Sequence, residues 1–154
     1  MKTSALAFSF LLCTTACPAN DVLGKIVSPF IGSWPDNTIC IADCRHIIGI
    51  LKQADQPVIY LAEFIPSSDP RRMLWKITDQ LPYTNGGNNF EVTYGNCEID
   101  GLIDPSLVAV IHYTNEEWSS NIRTAYRANP ETNRFEMITP QGLRCENNHL
   151  NDTF

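Results

Sequence analysis

A chain of 154 residues, 44% hydrophobic and 18% charged, is long enough to bury one ordinary core and too apolar to stay disordered. Its 17 acidic side chains outnumber its 11 basic ones, giving a net charge of −6, which argues against a nucleic-acid binder because phosphate recognition needs a basic footprint. The same surplus keeps the protein soluble and would steer a cationic partner toward it.

The chain opens with Lys2, an apolar run from Ala5 to Leu12, and the small residues Thr14, Thr15 and Ala16. A basic start, a short apolar middle and a small-residue exit is the order of a secretory leader. The run falls well short of the ~20 residues that a membrane-crossing helix needs. Residues 1–16 are therefore read as a cleaved signal peptide. Thr14-Thr15-Ala16-Cys17 resembles the processing site of bacterial lipoproteins. That resemblance implies cleavage before Cys17, acylation of Cys17, and attachment to the bacterial envelope through the lipid alone. Each buried lipid methylene contributes about 0.8 kcal/mol, so an acylated cysteine is a durable anchor. Cleavage without acylation would instead release a soluble periplasmic or secreted chain.

Cysteine parity supports export. Of six cysteines, Cys13 leaves with the leader and Cys17 is acylated or removed. Cys40, Cys44, Cys97 and Cys145 remain, an even number that fits two disulfides in an oxidising compartment. Their spacing lacks the tight paired pattern of zinc sites, so no metal and no cofactor are expected. Three pairings exist. The preferred one is Cys40–Cys44 with Cys97–Cys145, the second bridge closing a long loop across the C-terminal strands.

Along the chain, residues 17–28 read as a tether, 29–150 as one β domain and 151–154 as a tail. "RHIIGIL" and "VIYLAEF" are rich in β-branched and aromatic residues and flank the polar link "KQADQP", which predicts a hairpin. A helix over 43–54 is the alternative, since Ile47, Ile48 and Leu51 fit helical spacing; Gly49 and the isoleucines favour strands. "RMLWKIT" and "FEVTY" alternate with period two, and "TNGGNN" between them is the clearest loop. Asp100-Gly101 reads as a turn.

The last third predicts a meander. Strands 106–114 and 119–128, joined by "NEEW", would pair Ile111 with Ile122, Ala109 with Thr124 and Leu107 with Tyr126. A second link, "PETN", would pair Tyr126 with Met137 and Arg127 with Glu136. Both registers put apolar side chains on one face and charges on the other, where a one-residue slip would reverse them. With seven or eight strands in all, the expected fold is all-β: a small antiparallel barrel or sandwich ending in a three-stranded meander and stapled by disulfides.

No catalytic motif is present. There is no Gly-x-Ser-x-Gly, and no free cysteine is left to act as a nucleophile. The functional reading is a non-catalytic binding module of inhibitor or assembly-accessory type, whose partner is an unnamed protein or ligand of the envelope. Two features are candidates for contact. Trp118, flanked by Glu116 and Glu117, would present an aromatic anchor at a hairpin tip. Arg123, Arg127 and Arg134, with His112 and Glu136, would form a basic patch on the solvent face of the meander. The alternatives are a hydrolase pairing a carboxylate with His112, and a carrier holding an apolar ligand inside a barrel.

Overall fold

Strand-forming residues and turn residues alternate along this chain, and antiparallel strands follow from them. The computed structural model describes residues 22–28, 38–51, 57–69, 71–83, 89–112 and 114–147. The leader, Cys17, the tail 151–154 and most of the Asn-Gly loop lie outside the described residues. All regular structure within them is β. The strands form three antiparallel sheets.

A five-stranded sheet has the order β1-β5-β4-β3-β2, from Ile26–Val27, Leu74–Pro82, Val58–Ile65, His46–Leu51 and Thr38–Ile41. The hairpin reading of 43–64 is correct: β3 pairs with β4 from His46↔Glu63 to Leu51↔Val58. Gly49 sits opposite Tyr60, whose ring lies so close that an added Cβ would come 2.6 Å from its hydroxyl oxygen. Part of the expected tether is built into this sheet. Val22 is buried, its amide donates to Gln80 Oε1 at 2.8 Å, and Ile26 and Val27 pair with Lys76 and Trp75. The apolar alternation in "VLGKIV" is too short to stand out from a linker, and only the edge of β5 completes it.

The central sheet has the order β12-β11-β9-β6, from Arg134–Ile138, Ile122–Asn129, Leu107–His112 and Phe90–Tyr94. The β11–β12 register is as expected, with Tyr126↔Met137 and Arg127↔Glu136. The β9–β11 register is not. Ile111 faces Ile122, but a bulge between Ile122 and Thr124 then shifts the pairing by one, so Ala109 faces Ala125 and Leu107 faces Arg127. The bulged strand carries one extra residue, which no alternation pattern announces.

The third, outer sheet has the order β10-β13-β7-β8, from Trp118–Ser119, Leu143–Glu146, Cys97–Ile99 and Leu102–Ile103. These strands of two to four residues bring the total among the described residues to thirteen, above the seven or eight expected. "NEEW" is therefore not a plain hairpin turn. After β9 the chain crosses to the outer sheet as β10 and returns as β11. Asp100 and Gly101 both have positive φ, 52° and 82°, which suits the two-residue turn joining β7 to β8.

Among the described residues the sheets stack like an extended sandwich and none closes into a barrel. One face of the central sheet (Val92, Val108, Ala128) packs on Ile48, Ile59 and Leu61 of the five-stranded sheet. Its other face (Leu107, Ala109, Ile111, Ala125) packs on Cys97, Leu143 and Cys145 of the outer sheet. Polar bonds fix the stack: Phe135 N–H donates to Asp79 Oδ2 at 2.7 Å, and His46 Nε2 meets Asn133 Oδ1 at 2.7 Å. Cys40–Cys44 spans the β2–β3 turn, where Ala42, Asp43 and Cys44 all have positive φ. Cys97–Cys145 joins directly opposed residues of β7 and β13. Two disulfides place the folded chain in an oxidising, extracytoplasmic environment. Among the described residues, no helix is long and apolar enough to cross a membrane.

Candidate functional site

The two-sided burial of the central sheet dissolves the expected arginine patch. The five-stranded sheet covers the Val108–Val110 side of β9 and the outer sheet covers its Leu107–Ala109–Ile111 side, and the three arginines have separate fates. Arg127 pairs with Asp104 at 3.1 Å rather than with Glu136, which instead accepts from Asn129 Nδ2 and Thr132 Oγ1. Arg123, at the bulge, lies over the Phe90 ring at 5.5 Å, and His112 meets that ring edge-on at 5.1 Å. Arg134 stands exposed at the start of β12. The signal for this was present in "LVAVI": the first five residues of β9 are all apolar, as a strand covered on both sides should be.

Asp104 has a resolved electrostatic role. Burial pushes its carboxyl up, but the Ser106 hydroxyl and amide, together with Arg127, outweigh that and hold it below the ordinary carboxylate range. A lowered folded value gives stability that is present above the unfolded value of about 3.9 and lost as pH falls through the folded one. Asp104→Asn should therefore destabilise at pH 7, by less than about 1 kcal/mol because both partners are partly exposed. The gap between variant and wild type, measured by urea unfolding, should close below about pH 4; a constant gap would dismiss the ionised carboxylate as its source.

The outer sheet gathers the remaining candidates. Strand alternation sends Cys97, Leu143 and Cys145 inward and Trp118, Arg144, Glu98 and Ile103 outward. Glu98 faces Arg144 on one side and Ile103 on the other, while Trp118 faces Glu146, two residues beyond Arg144. The Arg144 guanidinium lies over the Trp118 ring at 5.2 Å and its Nε donates to Glu98 Oε1. Glu98 is thus nearly buried beneath a half-exposed arginine. A cation–π contact of this kind contributes about 0.5–2 kcal/mol. It holds Trp118 half-buried against its own sheet, not projecting from a hairpin tip.

One residue that sequence reasoning missed shapes this face. Asn147, almost fully buried, takes the loop that carries Glu116 and Glu117 by its main chain. Its Nδ2 donates to the carbonyls of Thr114 and Glu116, the latter at 3.0 Å, and its N–H donates to the Glu117 carbonyl at 2.8 Å. The acidic side chains are left exposed beside Trp118. At the other edge, Leu102 and Ile103 are 76% and 65% exposed on the short edge strand β8. An open edge with large apolar side chains is an uncommon surface that natural sheets normally blunt.

A pocket of about 80 Å³ opens between the five-stranded and central sheets, lined by Ile59, Leu81, Val92, Val110 and Tyr126. Ligand sites for drug-sized molecules run to about 300–1,000 Å³, so this one suits packing better than cargo. Beside it, Tyr83 and Tyr94 have phenols pushed up by burial first, then by Glu91 for Tyr83 and by Tyr60 and Tyr83 for Tyr94. Among the described residues, no three histidine, cysteine or carboxylate side chains gather as metal ligands. No family model, curated protein or solved structure matches this chain.

Proposed function

We propose that this protein is a non-catalytic binding module of the bacterial envelope, exported by its leader, anchored through Cys17, and engaging a protein partner with the outward face of the outer sheet. The observation that carries this reading is the row Trp118–Arg144–Glu98 running to an exposed Leu102–Ile103 edge. Tryptophan and arginine dominate the energetics of protein interfaces, and a rigid, pre-stacked pair loses little entropy on docking. Exposed apolar residues at a strand edge supply the desolvated area and free main-chain groups on which a partner strand can build. Glu116 and Glu117, held outward by Asn147, add a negative rim that favours a basic partner.

The expected result is specific. In cross-linking and affinity capture from envelope extract, a partner recovered with the wild type should be lost with Trp118→Ala and with Leu102→Ser plus Ile103→Ser. A central Trp truncation typically costs at least ~2 kcal/mol of binding, or about 30-fold in affinity. Leu102→Ser plus Ile103→Ser should retain its urea midpoint to within the effect of a surface change, and Trp118→Ala should stay folded while losing about the 0.5–2 kcal/mol of the cation–π contact it removes. Equal recovery from folded variants and wild type would reject this face. Mass spectrometry of the mature N-terminus tests the anchor separately, since an unacylated Cys17 would remove it.

A further inference from the structure

Among the described residues, the outer sheet has one flank open: β8 pairs with β7 and with no other strand. Ile99 faces Leu102 next to the Asp100-Gly101 turn, and Glu98 faces Ile103 one step on. In a hairpin with a two-residue turn, the pair beside the turn exchanges both main-chain bonds and the next pair exchanges none. The Asp104 N–H returns to the Cys97 carbonyl at 2.9 Å, as that alternation requires. The Ile103 N–H and C=O therefore point away from β7, into the open flank. Leu102 and Ile103 project to opposite faces of β8 and both are largely exposed. A strand laid along this edge would find an apolar neighbour on each of its faces.

Charge decides what kind of strand fits. Residues 95–104, 114–121 and 140–147 build the outer sheet and its links, and they hold six carboxylates and one arginine, a net −5 in a chain of net −6. Two of the six are compensated, Glu98 by Arg144 and Asp104 by Arg127 of the central sheet. Asp100, Glu116, Glu117 and Glu146 make no ion pair among the described residues, and Asp100 stands at the turn beside β8. Sheets close their edges to self-association with short strands and with charge. The brevity of β8 and its acids act in that way against a second copy, whose outer sheet carries the same surplus. Toward a strand of opposite sign the same acids are attractive.

We infer that β8 recruits an extended, basic segment of a partner protein by strand addition, with Ile103 exchanging both of its main-chain bonds, apolar partner side chains on Leu102 and Ile103, and a lysine or arginine meeting Asp100. This rests on the reading of the outer sheet as the binding face, and it gives that face a partner class and a register. The cross-strand row Ile103–Glu98–Arg144 gains a fourth member, the partner side chain beside Ile103. In this mode main-chain bonds supply affinity and alternate side chains supply selectivity. Glu116, Glu117 and Glu146 lie across β7 and β13 from the edge, so they act through their field, speeding the encounter with a cationic segment.

The experiment titrates the exported chain carrying Cys17→Ser, which cannot be acylated, with a capped peptide that alternates lysine and valine, followed by heteronuclear NMR. Amide shifts should centre on Leu102 and Ile103, and affinity should fall as salt rises. Ile103→Pro removes the outward N–H at an edge position where proline is tolerated, and it should weaken binding about tenfold. Ile103→Val keeps that N–H and should bind as the parent chain does. Should Ile103→Pro fail to fold, the same peptide with every amide N-methylated decides the matter. It keeps each side chain but no main-chain donor, and it should not bind. A glutamate–valine peptide should not bind either. No binding of the lysine peptide, shifts centred elsewhere, or equal binding of the N-methylated or glutamate peptide overturns the inference. A dimer seen by sedimentation and dissolved by Ile103→Pro would give the edge to a second copy and overturn it too. The two readings separate cleanly. If Trp118→Ala loses the envelope partner while Ile103→Pro captures it as wild type does, the outer face stands and strand addition falls. If peptide binding obeys Ile103→Pro while Trp118→Ala changes neither peptide binding nor capture, the reverse holds.

Discussion

Replacing Cys97 and Cys145 with alanine should lower the unfolding free energy by about 4 kcal/mol, roughly twice the ~2 kcal/mol expected for the same change at Cys40 and Cys44. The difference comes from loop length. The two bridges close sequence separations of 48 and 4 residues, and the entropy removed from the unfolded chain grows with the logarithm of that length. Position reinforces it. Cys97 and Cys145 are fully buried between the central and outer sheets, where they touch Leu107, Ala109 and Leu143, so alanine also leaves a small void. Their strands are three and four residues long, too short to hold an independent sheet. Urea unfolding of both double variants at pH 7 measures the ratio. Equal losses would mean that the long bridge only decorates a sheet that packing alone maintains. A larger loss at Cys40 and Cys44 would locate the critical constraint in the β2–β3 turn.

Gly95→Ala should destabilise by about 2–5 kcal/mol. Gly95 lies at the bend between β6 and β7 with φ of +79°, and a Cβ built there would stand 1.8 Å from Ile39 Cδ1. Two costs therefore add. A left-handed conformation costs an alanine about 1–2 kcal/mol, and overpacking a filled core costs about 1–3 kcal/mol. Gly101 separates them, since its φ of +82° is nearly the same but no atom lies within 4 Å of its added Cβ. Gly101→Ala should show the backbone cost alone. Ile39→Val, which removes Cδ1, should recover part of the loss in the double variant. If Gly95→Ala and Gly101→Ala prove equally destabilising, the contact with Ile39 carries no weight.

The Gly95 contact shows what a sequence withholds. Nothing in "YGNC" points to Ile39, more than fifty residues away. The bend sends the chain from the central sheet to the outer one, and β2 happens to lie across it. The same is true of Asn147, a polar residue near the C-terminus whose buried amide organises the 114–117 loop.

Local patterns did settle a good deal. Period-two alternation in "RMLWKIT" and "FEVTY", β-branched runs around a polar link, and Asp-Gly at a tight turn were enough for an all-β antiparallel chain. The four-residue link "PETN" fixed the β11–β12 register, because a slip would have put Tyr126 on the wrong face. Cysteine parity gave two disulfides, and the structure selects the preferred one of the three pairings that the sequence left open. Each of these is a short-range constraint, decided within about ten residues or by counting.

The arrangement of the sheets was another matter. The solvent-facing arginine patch assumed a single core with one wet side, whereas β9 is apolar on both faces and sits in a central layer. The bulge at Ile122 and Thr124, the two-residue strands β8 and β10, and the absorption of residues 22–28 into an edge all depend on neighbours distant in sequence. Trp118 makes the point for function. As a sequence it is an aromatic at a turn; in the fold it lies under Arg144, which Glu98 holds from two strands away. The sequence determined which residues become strands because backbone preference and side-chain alternation are local. Only the tertiary structure decided which faces stay wet, because burial is a property of whatever else the chain lays on top.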